Sequence, residues 1–340
     1  KIRRYLIISI LKKLEILKCM KILVYNSGGG LGDSIQLFDL IISLKEKYGQ
    51  NNIFYLSAHK NHFNNSLIDY NVHINDFKTE ISYFGFRLWH FLISKRKLLL
   101  KNSIEKFDLI IDLQSKLRNT IILNQIPSKY FYSSTFNFKF CSASKDYIST
   151  KFDNNKILLN LEKLLDDNII YKKYEIDFID DKYFKEAKRL LPDNNYIGFS
   201  ITQGNIYRKK SWPIEKFLSV ANKILKKNRN PVFFIEKHNS ELINKIKKQI
   251  PNVLIPELDS NLSGPPLVTA LSKRLDKAIS IDNGIMHMIG LANIPMIVLF
   301  GPTNSKKFSP KIKNINILDS KILYNSEEIS KIKEEDVLNL

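Results

Sequence analysis

Three stretches of this chain combine residue types suited to binding phosphate and moving protons. The first is SGGGLGD, Ser27–Asp33, where four glycines lead to a carboxylate. A glycine-rich turn between a strand and a helix lets backbone amides approach a phosphate, which makes Gly30 and Gly32 candidate ligand-contacting positions. It is not the dinucleotide fingerprint, because G-x-G-x-x-G counted from Gly28 ends on Asp33 rather than glycine. It is not a P-loop either, since no Gly-Lys-Ser/Thr follows. Asp33 has two readings: a helix cap, or a base that takes a proton from a hydroxyl. The second stretch is QGNIYRKKSWP, Gln203–Pro213. Arg208, Lys209 and Lys210 concentrate positive charge at the start of a helix, where the dipole also favours an anion. A solvated basic turn is the competing reading. The third is SIDNGIMHMIGLANIPMIVLFGPTN, Ser280–Asn304. Asp282, Asn283 and Gly284 make a strand-to-helix turn, and His287 follows one helical turn later. A carboxylate, an amide and a helix N-terminus together suit the ribose and phosphates of a nucleotide, with GPTN as an adjacent rim.

Each stretch has to sit where a strand hands over to a helix, and the apolar pattern supplies those elements. KILVYN, Lys21–Asn26, reads as a buried parallel strand. The helix SIQLFDLIISLKEKYG follows, closed by Gly49. Further strands are expected over Asn52–Ala58, over Phe107–Gln114 after a basic helix, and from Ile126. ILLNLEKLLDD is helical within Ser142–Asp177. A second alternation starts with a strand at Tyr196–Thr202 and a helix carrying Pro213 in its first turn. It continues with a strand at Pro231–Glu236, the capped helix NSELINKIKKQI, a strand VLIPE and a helix PLVTALSKRL. The strand KAISI, the helix GIMHMIGLA, the strand PMIVLFG and a charged helix after Ile322 complete it. The alternation predicts an α/β protein with two Rossmann-like domains facing a central cleft. The expected division is a basic N-terminal extension (1–20), an N-terminal domain (21–180), a C-terminal domain (181–322) and a C-terminal helix (323–340).

The chain has 340 residues, 44% of them hydrophobic, which is ample for packed cores and argues against wholesale disorder. With 53 Lys and Arg against 34 Asp and Glu, the net charge of +19 suits an acidic ligand or an anionic lipid surface. The abundance of Lys, Asn and Ile is equally what AT-rich coding DNA produces. The two cysteines, Cys19 and Cys141, have no metal-ligand companion at short spacing and make no disulfide framework, which fits a reducing cytoplasm. No charge-free run has the length of a membrane-spanning helix. The opening KIRRYLIISILKKLEILK reads as a basic amphipathic helix lying on a membrane, or as an extension upstream of a start at Met20.

Four ordered pieces, GLGDSIQ, FDLIIDLQSKLRN, KKSWPIEKF and SIDNGIMHMIGLANIPMIVLFGPTN, give the chain a resemblance to glycosyltransferase family 9, the heptosyltransferases of lipopolysaccharide synthesis. The last piece is the most specific, because the family typically reads Asp-(Ser/Thr)-Gly-x-x-His there, followed by Gly-Pro-Thr. The resemblance implies a GT-B fold, with an acceptor-binding N-terminal and a donor-binding C-terminal domain. It implies inverting transfer from a nucleotide sugar with no cofactor and no metal. It places Asp33 as the catalytic base and Lys210 as the cation that neutralises the donor phosphates. Asp282, Asn283, Gly284 and His287 match the nucleotide-binding turn, and Arg208 lies in the basic loop. Thr202 and Gln203 fall near the family's hydroxyl residues at the phosphates, and Glu241 near a carboxylate that contacts the nucleoside. The commonest donor of the family is ADP-heptose. Its acceptor is a lipid-linked saccharide at the cytoplasmic face of the inner membrane, which implies a peripheral enzyme on an anionic surface.

The chain also departs from the family pattern. Asn283 replaces Ser or Thr, SNLSGPPLVTAL carries two prolines where a polar capping pair is usual, and the Thr202–Ser211 loop differs in composition. These differences bear on donor identity more than on reaction class. Three other functions compete, and one of them, an NAD-dependent oxidoreductase, is disfavoured by the broken glycine fingerprint. A nucleotide-sugar epimerase of GT-B type would need further acidic groups. A non-catalytic membrane- or nucleic-acid-binding protein would fit the charge, yet no nucleic-acid-binding motif is present and no nucleic-acid partner is expected.

Overall fold

The structure is a computed structural model describing residues 20–26, 29–57, 61–77, 87, 89, 106–114, 116–149, 153–204 and 206–340. The N-terminal extension up to Cys19 and the basic helix expected before Phe107 lie outside the described residues. The chain divides into two compact units. Unit 1 holds residues up to Ile68 with Val72–Tyr174, and unit 2 holds Asp69–Asn71 with Glu175–Leu340.

Unit 1 is built on five parallel strands, β1 (Ile22–Asn26), β2 (Ile53–Ser57), β3 (Asn75–Asp76), β4 (Phe107–Asp112) and β5 (Ser128–Ser133), in the order β3-β2-β1-β4-β5. Every residue of β1 is buried, as expected of a parallel strand covered on both faces. Its helices are α1 (Leu31–Ile35), α2 (Phe38–Tyr48), α3 (Leu117–Leu123) and α4 (Asn154–Leu165). The single helix expected from Ser34 is thus two, broken at Gln36 and Leu37. The apolar face of α2, Phe38, Ile41, Leu44 and Tyr48, is fully buried, and each such side chain contributes about 1.5–3 kcal/mol. Gly49 ends the helix at φ 85°, a conformation that favours glycine.

Unit 2 repeats the scheme with β6 (Tyr196–Ser200), β7 (Asn230–Phe234), β8 (Lys277–Ile281), β9 (Met296–Phe300) and β10 (Ile315–Asp319), all parallel, in the order β10-β9-β8-β6-β7. Its helices are α5 (Asp181–Leu190), α6 (Ile214–Leu225), α7 (Ser240–Gln249), α8 (Pro265–Ser272), α9 (Gly284–Leu291), α10 (Ser305–Phe308), α11 (Ser320–Tyr324) and α12 (Glu334–Leu338). Aromatic rings fill the core: Phe199 stacks on Phe233 at 4.8 Å, and Trp212 meets Phe217 edge-on at 4.8 Å.

Three expectations change here. VLIPE is not a strand. Only Leu254 pairs, with Val232, and Pro256, which has no N–H for a ladder, opens a 3-10 turn over Pro256–Asp259. The tail is not one charged helix. Asn325, left-handed at φ 48°, ends α11, and the chain then places Ile329, Ile332 and Val337 in the core of the unit. Strand β10 was not anticipated, because an edge strand with exposed Asn316 and Ile317 shows no apolar run.

The strand orders define one switch point in each sheet. In each sheet the order reverses once, between β1 and β4 in unit 1 and between β6 and β8 in unit 2. Doubly wound sheets bind ligands outside the carboxyl ends of the strands at such switch points.

Candidate active site

The switch point of unit 2 brings the second and third stretches together. Asn283 caps α9, with Oδ1 accepting the Met286 N–H at 2.8 Å. Its Nδ2 donates to Ser200 Oγ at 2.7 Å and to the Thr202 carbonyl at 2.8 Å. One amide therefore clamps the ends of β6 and β8, a task that the longer reach of Asn over Ser or Thr permits. Lys210 Nζ lies 2.5 Å from Asp282 Oδ2, and the two side chains are only 13% and 7% exposed. The backbone N–H of Lys210 donates to Gln203 Oε1 at 2.9 Å. The Phe308 ring lies 6.0 Å from the Lys210 ammonium, within cation–π range. The ammonium and the carboxylate are thus buried as a pair, each balancing the charge of the other.

His287 is buried beside this pair. Burial pushes its imidazole down to about 4, and the Lys210 charge pushes the same way against Asp282. It is a neutral ring at pH 7, able to exchange hydrogen bonds without adding charge. Gly284, half-buried, opens α9. Thr202 and Gln203 are half-buried, while Arg208 and Lys209 are exposed on the same loop. Glu241 is exposed in the first turn of α7 and forms no ion pair among the described residues. The GPTN rim packs on the tail: a Cβ at Gly301 would lie 2.8 Å from the Glu327 carbonyl. Thr303 Oγ1 is buried there without a hydrogen-bond partner among the described residues.

In unit 1, Asp33 occupies the third position of α1, half-buried, and its Oδ2 accepts the Gly30 N–H at 3.4 Å. That contact is longer than an ordinary N–H···O bond, so capping commits the carboxylate weakly. Gly32 is buried within α1. Sequence reasoning missed two groups here. His62 Nε2 lies 3.0 Å from the Gly29 carbonyl. Asp112, at the end of β4 and 1% exposed, accepts from Thr120 Oγ1, Ser133 Oγ and the Gln114 N–H at 2.5, 2.8 and 2.9 Å. The signal for Asp112 was a carboxylate ending an otherwise apolar strand pattern. No local signal marked His62.

The two buried groups predict opposite responses to acid. Burial raises Asp112 from 3.8 to about 6, so its share of stability is fully present below 3.8 and is lost as pH rises through 6. Burial lowers His287 from 6.5 to about 4, so its share is present above 6.5 and is lost as pH falls through 4. Each effect is on the order of 3 kcal/mol, and they oppose each other between pH 4 and 6. Denaturant midpoints at pH 7 and pH 4.5 check this. Relative to the parent, His287→Gln is expected to lose less stability on acidification and Asp112→Asn more; the reverse order would refute the assignment.

Two Rossmann-type units of parallel sheet, each with a polar cluster at its carboxyl-end switch point, are the parts of a GT-B fold. A profile of glycosyltransferase family 9 (heptosyltransferase) matches residues 96–338, and the chain belongs to that family. Solved structures share the fold. A family 9 glycosyl transferase from Veillonella parvula is 20% identical, with 94% of this chain and 95% of that chain covered at a TM-score of 0.64. The E. coli heptosyltransferase WaaC with ADP is 12% identical, with 94% and 98% covered at 0.61. The E. coli ADP-heptose lps heptosyltransferase II is 14% identical, with 94% and 97% covered at 0.58. No curated protein sequence matches the chain. Among the described residues no helix is long and apolar enough to cross a membrane.

Proposed function

We propose that this glycosyltransferase moves a sugar, heptose from ADP-heptose, to a lipopolysaccharide or other cell-surface saccharide, with inversion and without a metal. The observation that carries the reading is the Lys210–Asp282 pair at the unit 2 switch point, flanked by the α9 N-terminus. When the nucleoside diphosphate leaves, negative charge grows on its β-phosphate oxygen. Lys210, with Arg208 on the same loop and the amides at Gly284, stabilises that charge in the role a metal fills elsewhere. Thr202, Gln203, Asp282, Asn283 and His287 shape the nucleotide site, and Glu241 is assigned to the nucleoside by resemblance. Asp33 takes the proton of the acceptor hydroxyl as its oxygen attacks the anomeric carbon from the face opposite the leaving group. A single displacement inverts that carbon. Gly30 and Gly32 let the acceptor approach the backbone.

The acceptor is lipid-linked in this reading, and the enzyme visits the cytoplasmic face of an anionic membrane peripherally. Basic residues of the extension each contribute about 1 kcal/mol to such contact, screened by salt. Vesicle co-sedimentation with and without residues 1–19 reads this contribution. The test of the function itself is a panel of ADP- and UDP-linked sugars, scored by thermal shift and by slow donor hydrolysis. ADP-heptose is expected to stabilise the protein and turn over, and turnover is expected to survive EDTA. Preference for a UDP-sugar would replace the donor. Complete loss on chelation, reversed by a divalent ion, would replace the metal-free mechanism.

A further inference from the structure

The polar groups at the switch point of unit 1 take no part in the mechanism above, yet they converge on the segment that carries Asp33. Asn26 is the last residue of β1 and is 1% exposed. Gln114 lies just beyond β4, the neighbouring strand, and its Nε2 donates to Asn26 Oδ1 at 2.6 Å. Gln114 is itself held, because its N–H donates to Asp112 Oδ1. The other oxygen of Asp112 is anchored by Thr120 of α3 and Ser133 of β5, and Thr135 Oγ1 lies 2.7 Å from Thr120 Oγ1. The result is a chain of contacts from a buried carboxylate, through Gln114, to the last residue of β1.

Asn26 leads directly into SGGGLGD, whose four glycines end at Asp33. Glycine has no side chain to anchor its backbone, so Gly29, Gly30 and Gly32 depend on contacts made by their neighbours. The His62 ring meets the Gly29 carbonyl, and Gln114 holds Asn26 at the end of β1.

We propose that Gln114 and Asn26 are positioning residues: their hydrogen bond at the β1/β4 switch point fixes the end of β1 and, together with the His62 contact at Gly29, holds the Asp33 carboxylate in place for proton transfer. This inference rests on the reading of Asp33 as the base. Misplacing a catalytic group by about 1 Å costs on the order of a hundredfold in rate, whereas the residues proposed to hold the donor belong to unit 2 and none of them is substituted. The signature is therefore a fall in turnover without a fall in donor affinity.

The experiment measures transfer from ADP-heptose and calorimetric affinity for ADP, in the full chain, for Gln114→Ala, Gln114→Met, Asn26→Ala, the Gln114→Ala/Asn26→Ala double variant, and Asp33→Asn with and without Gln114→Ala. Gln114→Met keeps the bulk and removes the donor, at a half-buried position where folding is expected to survive, so the test stands even if Asn26→Ala does not fold. Expected results are an approximately tenfold or larger loss of kcat in each single variant, unchanged ADP affinity, and a double variant no worse than the poorer single, because the bond that Gln114→Ala removes is already absent in Asn26→Ala. Gln114→Ala should add nothing in the Asp33→Asn background. Turnover within about twofold of the parent in both Gln114 variants would overturn the inference while Asp33→Asn remains inactive. Multiplying effects in the double variant, or equal loss of ADP affinity, would also overturn it. Parent-like turnover of Asp33→Asn would instead remove the base reading, and this inference with it.

Discussion

Asp33→Asn is expected to lower turnover by about a hundredfold or more while leaving the fold and nucleoside diphosphate binding nearly intact. General-base catalysis contributes roughly 10²–10⁴ in rate, and an amide at this position cannot take the proton. The amide oxygen still accepts the Gly30 N–H, so the cap survives. The contact is 3.4 Å and half-exposed, and losing it altogether would cost only about 1 kcal/mol. Steady-state kinetics with calorimetry on free diphosphate separates the two roles. Turnover within about threefold of the parent would leave Asp33 as a cap and nothing more.

Lys210→Ala is expected to have two large effects of different origin. It removes the cation proposed to hold the donor phosphates, which should weaken diphosphate binding by about ten- to a hundredfold, the range of a charged hydrogen bond. It also leaves Asp282, 6% exposed, as a buried carboxylate without its ammonium. Breaking one side of a buried pair costs about 3–5 kcal/mol. The effects separate in the double variant Lys210→Ala/Asp282→Asn, which should recover most of the stability and none of the affinity. If the single variant binds diphosphate as tightly as the parent, Arg208 or Lys209 holds the phosphates instead. If stability does not return in the double variant, the pair is not what the single substitution disturbs.

Much of this protein was legible in local pattern. Parallel strands buried on both faces announce themselves as short apolar runs, and β1, β6, β8 and β9 were read that way because burial requires it. The glycine turn, the basic loop and the Asp282–His287 turn were visible as residue types at the right spacing after such runs. The misreadings share a cause. VLIPE is apolar without being paired along its length, β10 is paired without being apolar, and the tail is charged yet sends Ile329 and Ile332 into the core.

Strand order is information no window of sequence holds, because it depends on which strands pack side by side. It alone puts β1 beside β4 and β6 beside β8, and so defines two switch points. Lys210 meets Asp282 across 72 residues, and Gln114 meets Asn26 across 88. Asn283, a nucleotide contact by motif, emerges as the clamp between two strand ends. Amino-acid sequence by itself determined which residues carry charge, hydroxyls and flexible backbone, since these are properties of the residues and their near neighbours. Only the tertiary structure decided which of them are partners. Hydrogen bonds and buried ion pairs act over about 3 Å, and only packing brings groups that distant in the chain within that range.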